Sequence, residues 1–285
     1  MKKITTFDVV ITIIMLTILV LVGVPLLYIF SISFSSNEYI AQGAVTVFPK
    51  GFNFSAYKEI LSTPKVPMAY LNSIWYTALA TVISMFLLII TAYPLSRREL
   101  KGRQGILLMI VFTMFFSGGM IPFYLLIQNL GMVDTVWALV IPWAVPAYEL
   151  MLLRSYFENI PNEVYEAATI DGASEYRILF QVFLPMSLPI LATLVMFIVR
   201  NQWNSYLVPL MYLQTPEKYP LQVVLQEMLL KGQAKTTIAT VESAELNVEA
   251  LKNATIVLSI IPVLMLYPFV QRYFVKGLYI GAVKG

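Results

Sequence analysis

The sequence predicts an all-α membrane protein with six transmembrane helices and both termini on the cytoplasmic side. Hydrophobic residues make up 59% of the 285 residues and charged residues only 12%, which is more apolar surface than one soluble core of this size can bury. Six stretches are long and apolar enough to cross a bilayer, which takes about 20 residues. Lys and Arg in the short loops concentrate on one side of these stretches.

The six predicted spans follow one another along a single transmembrane domain, 1–285. The first is uncharged and longer than the apolar core of a cleaved signal peptide, so we expect it to stay as an anchor. The fourth contains one charge, Glu149, and the fifth contains Arg200. Prolines lie in or beside several spans, and membrane helices tolerate them where neighbours satisfy the freed carbonyls. We therefore expect a packed, kinked bundle with spans at 9–32, 71–96, 104–128, 135–153, 186–208 and 253–271.

Basic residues orient this bundle. The positive-inside rule makes the side with the basic short loop and the termini cytoplasmic. Residues 33–70 and 209–252 are then extracellular loops, and their lysines count less because these loops are long. Residues 158–185, between the fourth and fifth spans, are cytoplasmic. The basic residues on the cytoplasmic side are Lys2, Lys3, Arg97, Arg98, Lys101, Arg103, Arg272, Lys276 and Lys284.

The segment 158–185 is acidic and predicts two short helices with a sharp joint. Pro161 suits a first helical position, and Gly172 reaches the left-handed conformation that ends a helix. Ser174 can cap the second helix. A narrow face of small residues precedes the joint, at Val164, Ala167, Ala168 and Asp171. One interpretation is an amphipathic loop on the membrane surface, but its acidic charge favours docking to a basic protein partner.

This segment resembles the EAA loop of ABC importer permeases. The family pattern is EAA, three residues, Gly, nine residues and then I-x-L-P. Here Glu166-Ala167-Ala168, Gly172 and Leu184-Pro185 stand at those spacings, with Val182 in place of Ile. The resemblance implies a type I ABC importer permease architecture, in which this loop docks on a cytoplasmic ATPase. The residues expected to couple the chain to the ATPase are Glu166, Ala167, Ala168, Asp171, Gly172, Leu184 and Pro185.

Two further stretches are similar to carbohydrate permeases of the maltose-transporter type. They are "RNQWNSYLVPLMYL", Arg200–Leu213, and "YPFVQRYFVKGLYIGAVKG", Tyr267–Gly285. The resemblance is weakest over 37–70 and 215–252. It implies the permease subunit of an ATP-driven oligosaccharide importer in a bacterial cell membrane. The implied partners are a second, non-identical permease, two ABC ATPase subunits, an extracellular solute-binding lipoprotein, the lipid bilayer and an oligosaccharide substrate.

ATP hydrolysis is not expected on this chain, because it has no G-x-x-x-x-G-K-[ST] phosphate loop. We expect no cofactor here, with ATP and Mg bound by the partner ATPase. The lack of His and Cys removes the usual zinc ligands and the common catalytic nucleophile–base pairs, so we expect no metal site and no enzyme. A net charge of +3 is too small to suggest nucleic acid.

Polar and aromatic residues of the fifth span are candidates for the substrate path. Sugars are held by hydrogen bonds to hydroxyls and by stacking on aromatic rings, and Arg200, if it faces the path, favours an acidic sugar such as a uronate. Polar helix–helix packing is the alternative. Glu149 is expected to be structural or to bond a partner helix, because about 10 Å of helix rise separates it from Arg200. The path candidates are Arg200, Asn201, Trp203, Asn204 and Tyr206, with Asn72, Trp75 and Tyr76 weaker.

Two other functions are kept open. One is an ABC permease for a non-sugar solute, such as amino acids, phosphate or spermidine. The other is an ion-coupled secondary transporter, which needs acidic residues near the bilayer midplane, and only Glu149 offers one. Residues 209–252 either reach into the binding protein or form a helix that lies flat on the bundle.

Overall fold

The computed structural model describes residues 5–62, 64–238, 248–262, 264, 265 and 268, and all regular elements among them are helical. Residues 248–262 are also helical. In chain order the α-helices are α1 (Thr6–Ser33), α2 (Asn37–Ala41), α3 (Ser55–Ser62), α4 (Lys65–Ser96), α5 (Arg103–Phe115), α6 (Met120–Asn129), α7 (Trp137–Val140), α8 (Ala147–Glu158), α9 (Asn162–Ile170), α10 (Glu175–Ile178), α11 (Leu184–Met186), α12 (Leu188–Trp203), α13 (Leu207–Tyr212) and α14 (Leu221–Ile238).

The described residues divide into two compact units. Those of Met1–Met68 and Val224–Pro262 form the first unit, and those of Ala69–Val223 and Val263–Gly285 form the second. The prediction of an all-α chain is confirmed for the described residues. The candidate site residues all lie in the second unit.

Helix α1 corresponds to the first predicted span and is apolar on every side. It begins with a capping box, in which Thr5 and Asp8 each accept a hydrogen bond from the other's backbone N–H. Its most hydrophobic window has a mean hydropathy of 2.9, and none of that window is buried against the rest of the chain. A helix that is hydrophobic all round needs an apolar environment on all sides, so α1 has the character of a membrane span.

Aromatic residues hold the turn that follows α1. Phe34 stacks on Phe52 with ring centroids 5.5 Å apart and on Tyr57 at 4.8 Å. The Tyr57 hydroxyl donates to the Ser33 hydroxyl at 2.8 Å. Gly51 has a φ of +62°, and a Cβ there would overlap the Ser36 hydroxyl, so glycine is required for this close approach.

Helix α4 contains the second predicted span and begins six residues before it. The third predicted span differs from one straight helix, because α5 and α6 meet at a bend of 115°. Helix α5 ends at Phe115, the next residue Phe116 is extended, and Gly119 has a φ of +82°. The glycine pair Gly118-Gly119 therefore permits a turn that the apolar pattern does not reveal.

The fourth predicted span is also broken. Helix α7 passes into a 3-10 turn at Ile141–Trp143, and α8 starts only at Ala147. Pro142 and Pro146 lack the N–H that helix continuation needs, and Pro146 is itself extended, with a ψ of 124°. Helix α8 then runs to Glu158, five residues beyond the predicted end.

The fifth predicted span begins with a sharp bend. The helical stretch Glu175–Met186 meets α12 at 81°, with Ser187 at the break and Pro189 just inside α12. Within that stretch Leu179–Phe183 forms a π-helical turn, in which the Leu184 N–H donates to the Leu179 carbonyl. Of the sixth predicted span, 253–271, residues 253–262 are helical; positions 263, 266, 267 and 269–271 lie outside the described residues, as does the stretch 269–285.

A hydrophobic core in the second unit joins the end of α4 to α8, α10 and α12. Its fully buried members include Leu88, Leu150, Leu153 and Leu194. Val164, Tyr165 and Ala168 of α9 pack against this core as half-buried residues. A second cluster surrounds Tyr212, which stacks on Tyr124 at a centroid distance of 5.7 Å. These two cores position the candidate sites.

Candidate functional site

The segment 158–185, here called the EAA segment, forms two helices with a glycine joint, which confirms that prediction. Helix α9 ends at Ile170, and Gly172 follows with a φ of +75°. The N–H groups of Gly172 and Ala173 donate back to the carbonyls of Thr169 and Ala168. The Ser174 hydroxyl caps α10 by accepting from the Arg177 N–H at 3.4 Å. One detail differs: Pro161 is the residue before α9 rather than its first helical residue.

The outer face of α9 differs from the predicted one. Val164 and Ala168 pack against the core of this chain, whereas Glu166 and Ala167 are exposed. Ile170 is 86% exposed, although it is a large apolar residue. Ala168 therefore lets α9 lie close to its own core, and only Glu166 and Ala167 of the triplet are free to meet another protein.

The remaining residues of the EAA pattern are also partly exposed and partly packed against the core of this chain. Asp171, Gly172 and Pro185 are exposed, and no atom lies within 4 Å of the place where a Cβ on Gly172 would stand. Leu184 is half-buried against the core. Gly172 is therefore needed for its backbone conformation, and the space beside it is open.

Glu175 ties the EAA segment to the end of α4. The Tyr165 hydroxyl donates to its Oε1 and the Tyr93 hydroxyl to its Oε2, both at 2.6 Å. The hydrogen bond from Tyr165, followed by that from Tyr93, lowers the pKa of the Glu175 carboxyl. Arg97, one turn after Tyr93, lies over the Tyr165 ring at 3.4 Å from its centroid. We refer to these four side chains as the Glu175 latch.

Glu158, the first residue of the EAA segment, forms ion pairs with three arginines. Its carboxylate lies 2.6 Å from Arg154, 2.8 Å from Arg103 and 3.9 Å from Arg98. The Arg103 and Arg154 side chains are only 15% and 16% exposed. Two arginines of the basic loop, noted in the sequence only for orienting the bundle, are therefore also ion-pair partners.

The polar stretch from Arg200 to Tyr206 does not form one surface. Trp203 is 5% exposed and packs on Tyr70, with ring centroids 6.3 Å apart. The Asn204 side chain donates to the Arg200 carbonyl at 3.0 Å and closes the end of α12. Arg200 is exposed and Tyr206 half-buried, so Trp203 and Asn204 have structural contacts within this chain.

Asn201 lines a cavity of about 650 Å³ in the second unit, a size usual for small-molecule sites. Residues of α4, α5 and α12 surround it, together with the broken fourth span. Glu149 also lines it, is 7% exposed, and makes no hydrogen bond or ion pair with any described residue. Arg200 does not line it. The described residues offer no group of three carboxylates that could hold a metal ion.

The weaker path candidates of α4 have other partners. Asn72 donates to the carbonyls of Glu217 and Tyr219, at 2.7 and 3.2 Å, and the Tyr76 hydroxyl donates to the Lys218 carbonyl at 2.9 Å. Both residues therefore fasten the turn after α13, whereas Trp75 is 58% exposed.

Asp134 holds the same turn from the other side. It accepts from the Lys218 ammonium and the Thr215 hydroxyl, each at 2.6 Å, and from the N–H groups of Gln214 and Thr215. The hydrogen bond from Lys218 contributes most, and together these contacts hold the pKa of the Asp134 carboxyl well below its usual range. Sequence spacing reveals neither cluster, because Glu175 and Tyr93 are 82 positions apart and Lys218 and Asp134 are 84 positions apart.

Several known proteins are similar to this chain over most of its length, and some of them are named as transport system permeases. Protein LplC of Bacillus subtilis (strain 168) is 39% identical over 262 residues, covering 92% of this chain and 89% of LplC. The polygalacturonan/rhamnogalacturonan transport system permease protein YtcP of the same organism is 38% identical over 263 residues, covering 92% of each chain. A solved chain from a bacterial ABC transporter involved in the import of the acidic polysaccharide alginate is 34% identical, with a TM-score of 0.84, and the match covers 96% of this chain and all of that one.

A family model confirms the resemblance drawn from the EAA segment. The model is described as a binding-protein-dependent transport system inner membrane component, and it matches residues 66–279. That range contains the EAA segment, the Glu175 latch and the cavity. This chain therefore belongs to the family of binding-protein-dependent transport system inner membrane components, and it is a membrane-bound permease subunit of an ABC transporter.

Proposed function

We propose that this chain is one of two permease subunits of an ATP-driven importer of oligosaccharides. The observation that carries the proposal is similarity over more than nine-tenths of the chain to permeases named for saccharide transport. These include YtcP, the arabinooligosaccharides transport system permease protein AraQ of Halalkalibacterium halodurans, and the alginate importer. None of these relatives is named for an amino acid, phosphate or spermidine, which favours a sugar over the other solutes.

The proposed assembly has six spans with both termini in the cytoplasm, a second permease, two ATPases and an extracellular solute-binding lipoprotein. The description of the family as binding-protein-dependent supports the last partner. The ATPases hold ATP and Mg, and the EAA segment docks on one of them. The exposed face of Glu166, Ala167 and Ile170 beside the open joint at Gly172 supports this docking.

The Glu175 latch supports a route for the motion. Because Tyr165 lies on α9 and Tyr93 on α4, a push on α9 reaches α4 through one carboxylate with bonds of 2.6 Å. The hydrophobic core then links α4 to α8 and α12, which line the cavity. ATP-driven closure of the ATPases can favour one cavity state over the other only through such differential contacts.

Substitution at the glycine joint tests the docking. Gly172→Trp adds a large ring in open space beside α9, so it should abolish co-purification of the ATPase and ATP-dependent uptake. Gly172→Ala is the matched control, because it imposes the same backbone strain, about 1 kcal/mol, with little bulk. Both variants should leave the two permeases assembled in the membrane.

Charge provides a second arm of the same experiment. Glu166→Ala should weaken ATPase co-purification, whereas Glu163→Ala, an exposed glutamate in the first turn of the same helix, should not. Uptake and ATPase recovery that are normal in both Gly172→Trp and Glu166→Ala would show that the EAA segment is not the docking surface.

A further inference from the structure

Glu149 is a buried carboxylate without a partner among the described residues, and it faces the 650 Å³ cavity. Placing a charge out of water is costly unless it is paired or hydrogen-bonded. Elsewhere in this unit the half-buried carboxylates Asp134 and Glu158 follow that rule, since each has an ion pair. Glu149 has no such ion pair with a described residue, and its carboxylate oxygens open onto a cavity large enough to receive a sugar unit.

The fold makes a charge at this position tolerable. Glu149 lies in the first turn of α8, where the helix dipole stabilises negative charge. The break before Ala147 also leaves the first N–H groups of α8 without carbonyl partners inside the helix. Glu149 thus stands at a helix start, where a negative side chain suits the backbone, and its oxygens have no described partner that turns them away from the cavity.

The other lining residues suit a sugar ring. Asn201, Gln202 and Ser205 lie on one face of α12 and its end, and they offer amide and hydroxyl groups. Trp143 and Tyr148, both about half-exposed, offer aromatic faces beside them. Amides and hydroxyls bond sugar hydroxyls, and an aromatic ring covers the apolar face of a pyranose.

The charge of the lining residues determines which class of sugar the cavity can bind. Glu149 is the one charged side chain among the described residues that line the cavity. A carboxylate accepts hydrogen bonds from sugar hydroxyls or from an ammonium group, but it repels the carboxylate of a uronate. Arg200, from which the sequence suggested an acidic preference, does not line the cavity.

We propose that this cavity is a subsite for an uncharged or amino sugar unit, and that Glu149 excludes uronate units from it. The inference rests on the proposed function. The neutral unit has two sources, a neutral oligosaccharide or the neutral unit of a mixed polymer such as one that alternates rhamnose with galacturonate. The experiment below separates these sources.

The lack of cysteine in the chain allows a direct test of the charge. Ser205→Cys places one thiol in the cavity of the complete transporter in nanodiscs, with cysteine-free partner subunits. Its reaction rates with a cationic and an anionic methanethiosulfonate reagent are compared with Glu149 present and with Glu149→Gln. The cation-to-anion rate ratio should fall about tenfold in Glu149→Gln, because one fixed charge acts on both reagents with opposite sign. Ser55→Cys, exposed and outside the cavity, should show no change.

Sugar protection of the same thiol tests the substrate class. Galactobiose should slow labelling of Ser205→Cys, and digalacturonate should do so only in the Glu149→Gln background. A rhamnose–galacturonate disaccharide that also protects with Glu149 present identifies the mixed polymer as the source, and its failure identifies a neutral oligosaccharide.

Two results would overturn the inference. A cation-to-anion rate ratio that is the same with Glu149 present and with Glu149→Gln would show that the carboxylate sets no field in the cavity, whatever solute is transported. Protection by digalacturonate as strong as that by galactobiose, with Glu149 present, would show that uronates are not excluded. A changed ratio with no protection by any sugar would instead contradict the sugar function and leave the charge selection standing.

Discussion

Two carboxylates of the EAA segment have bonding partners within this chain, whereas the carboxylate at the cavity has none among the described residues. The same hydrophobic core borders both regions. At the EAA segment Glu158 meets three arginines and Glu175 meets two tyrosine hydroxyls. In the cavity Glu149 is more deeply buried and has no hydrogen bond or ion pair with a described side chain. Carboxylates with partners hold helices together, whereas a carboxylate without a described partner can bind a molecule that enters the cavity. Stability measurements can therefore separate the two kinds.

The largest effect is expected at Glu158. Glu158→Gln keeps the shape of the side chain but leaves Arg103 and Arg154, both largely buried, without a counter-charge. The loss should be about 2–3 kcal/mol, below that of a fully buried pair, and should appear as a lower melting temperature of the purified transporter. Glu99→Gln is the control, because Glu99 is 77% exposed and 3.8 Å from Arg97, and it should change little. Equal melting temperatures for the two variants would contradict the structural role of Glu158.

A smaller effect with a defined pH dependence is expected at Asp134. Asp134→Asn removes the charge that Lys218 and Thr215 bind, and it should lower stability by about 1–2 kcal/mol. Because the folded-state pKa of Asp134 is depressed, its contribution is complete above the ordinary carboxyl pKa of about 3.9 and is lost as pH falls further.

Melting curves of wild type and Asp134→Asn should therefore stay separated by the same interval from pH 5 to pH 8. The interval should narrow below about pH 4, as the ordinary carboxyl pKa is passed and the charge no longer favours the folded state as strongly. An interval that narrows between pH 8 and pH 5 would mean that another group titrates there and that the Asp134 contacts are not the source.

The smallest effect, of opposite sign, is expected at Glu149. Glu149→Gln removes a buried charge that has no described partner, so the melting temperature of the transporter should be unchanged or slightly higher. A fall as large as that of Glu158→Gln would mean that Glu149 binds a residue of a partner helix, which is the role expected from the sequence. The comparison between the two regions would then no longer hold.

Local chemistry allowed part of this structure to be predicted. The joint at Gly172 and the cap at Ser174 depend only on residues close in sequence, so the spacing of those residues was sufficient to predict both features. The long uniform apolar stretch of α1 was predicted for the same reason. Kinks at prolines were expected, but the division of the third and fourth predicted spans into separate helices was not, because hydropathy averages over Gly118-Gly119 and over Pro142 and Pro146.

Contacts between distant residues could not be predicted at all. Trp203 looked like a path residue by composition, but its burial against Tyr70 depends on the packing of two helices far apart in sequence. The contacts of Tyr93 and Arg97 with the EAA segment could not be predicted for the same reason. Their spacing of one helical turn at the end of a span does indicate that they share a helix face. Glu149 was noticed as an isolated charge, but only the cavity gives it a surrounding in which a role can be argued.

The π-helical turn at Leu179–Phe183 changes how length is counted between the EAA segment and α12. Pro185 cannot donate a hydrogen bond, and the turn before it is wider, so it takes up one residue more than an α-helical turn would. One residue corresponds to about 1.5 Å of rise and about 100° of rotation in an α-helix. The helix therefore contains one extra residue in the turn where it leaves the EAA segment. The distance between the EAA segment and α12 cannot be obtained by counting residues at the α-helical rise alone.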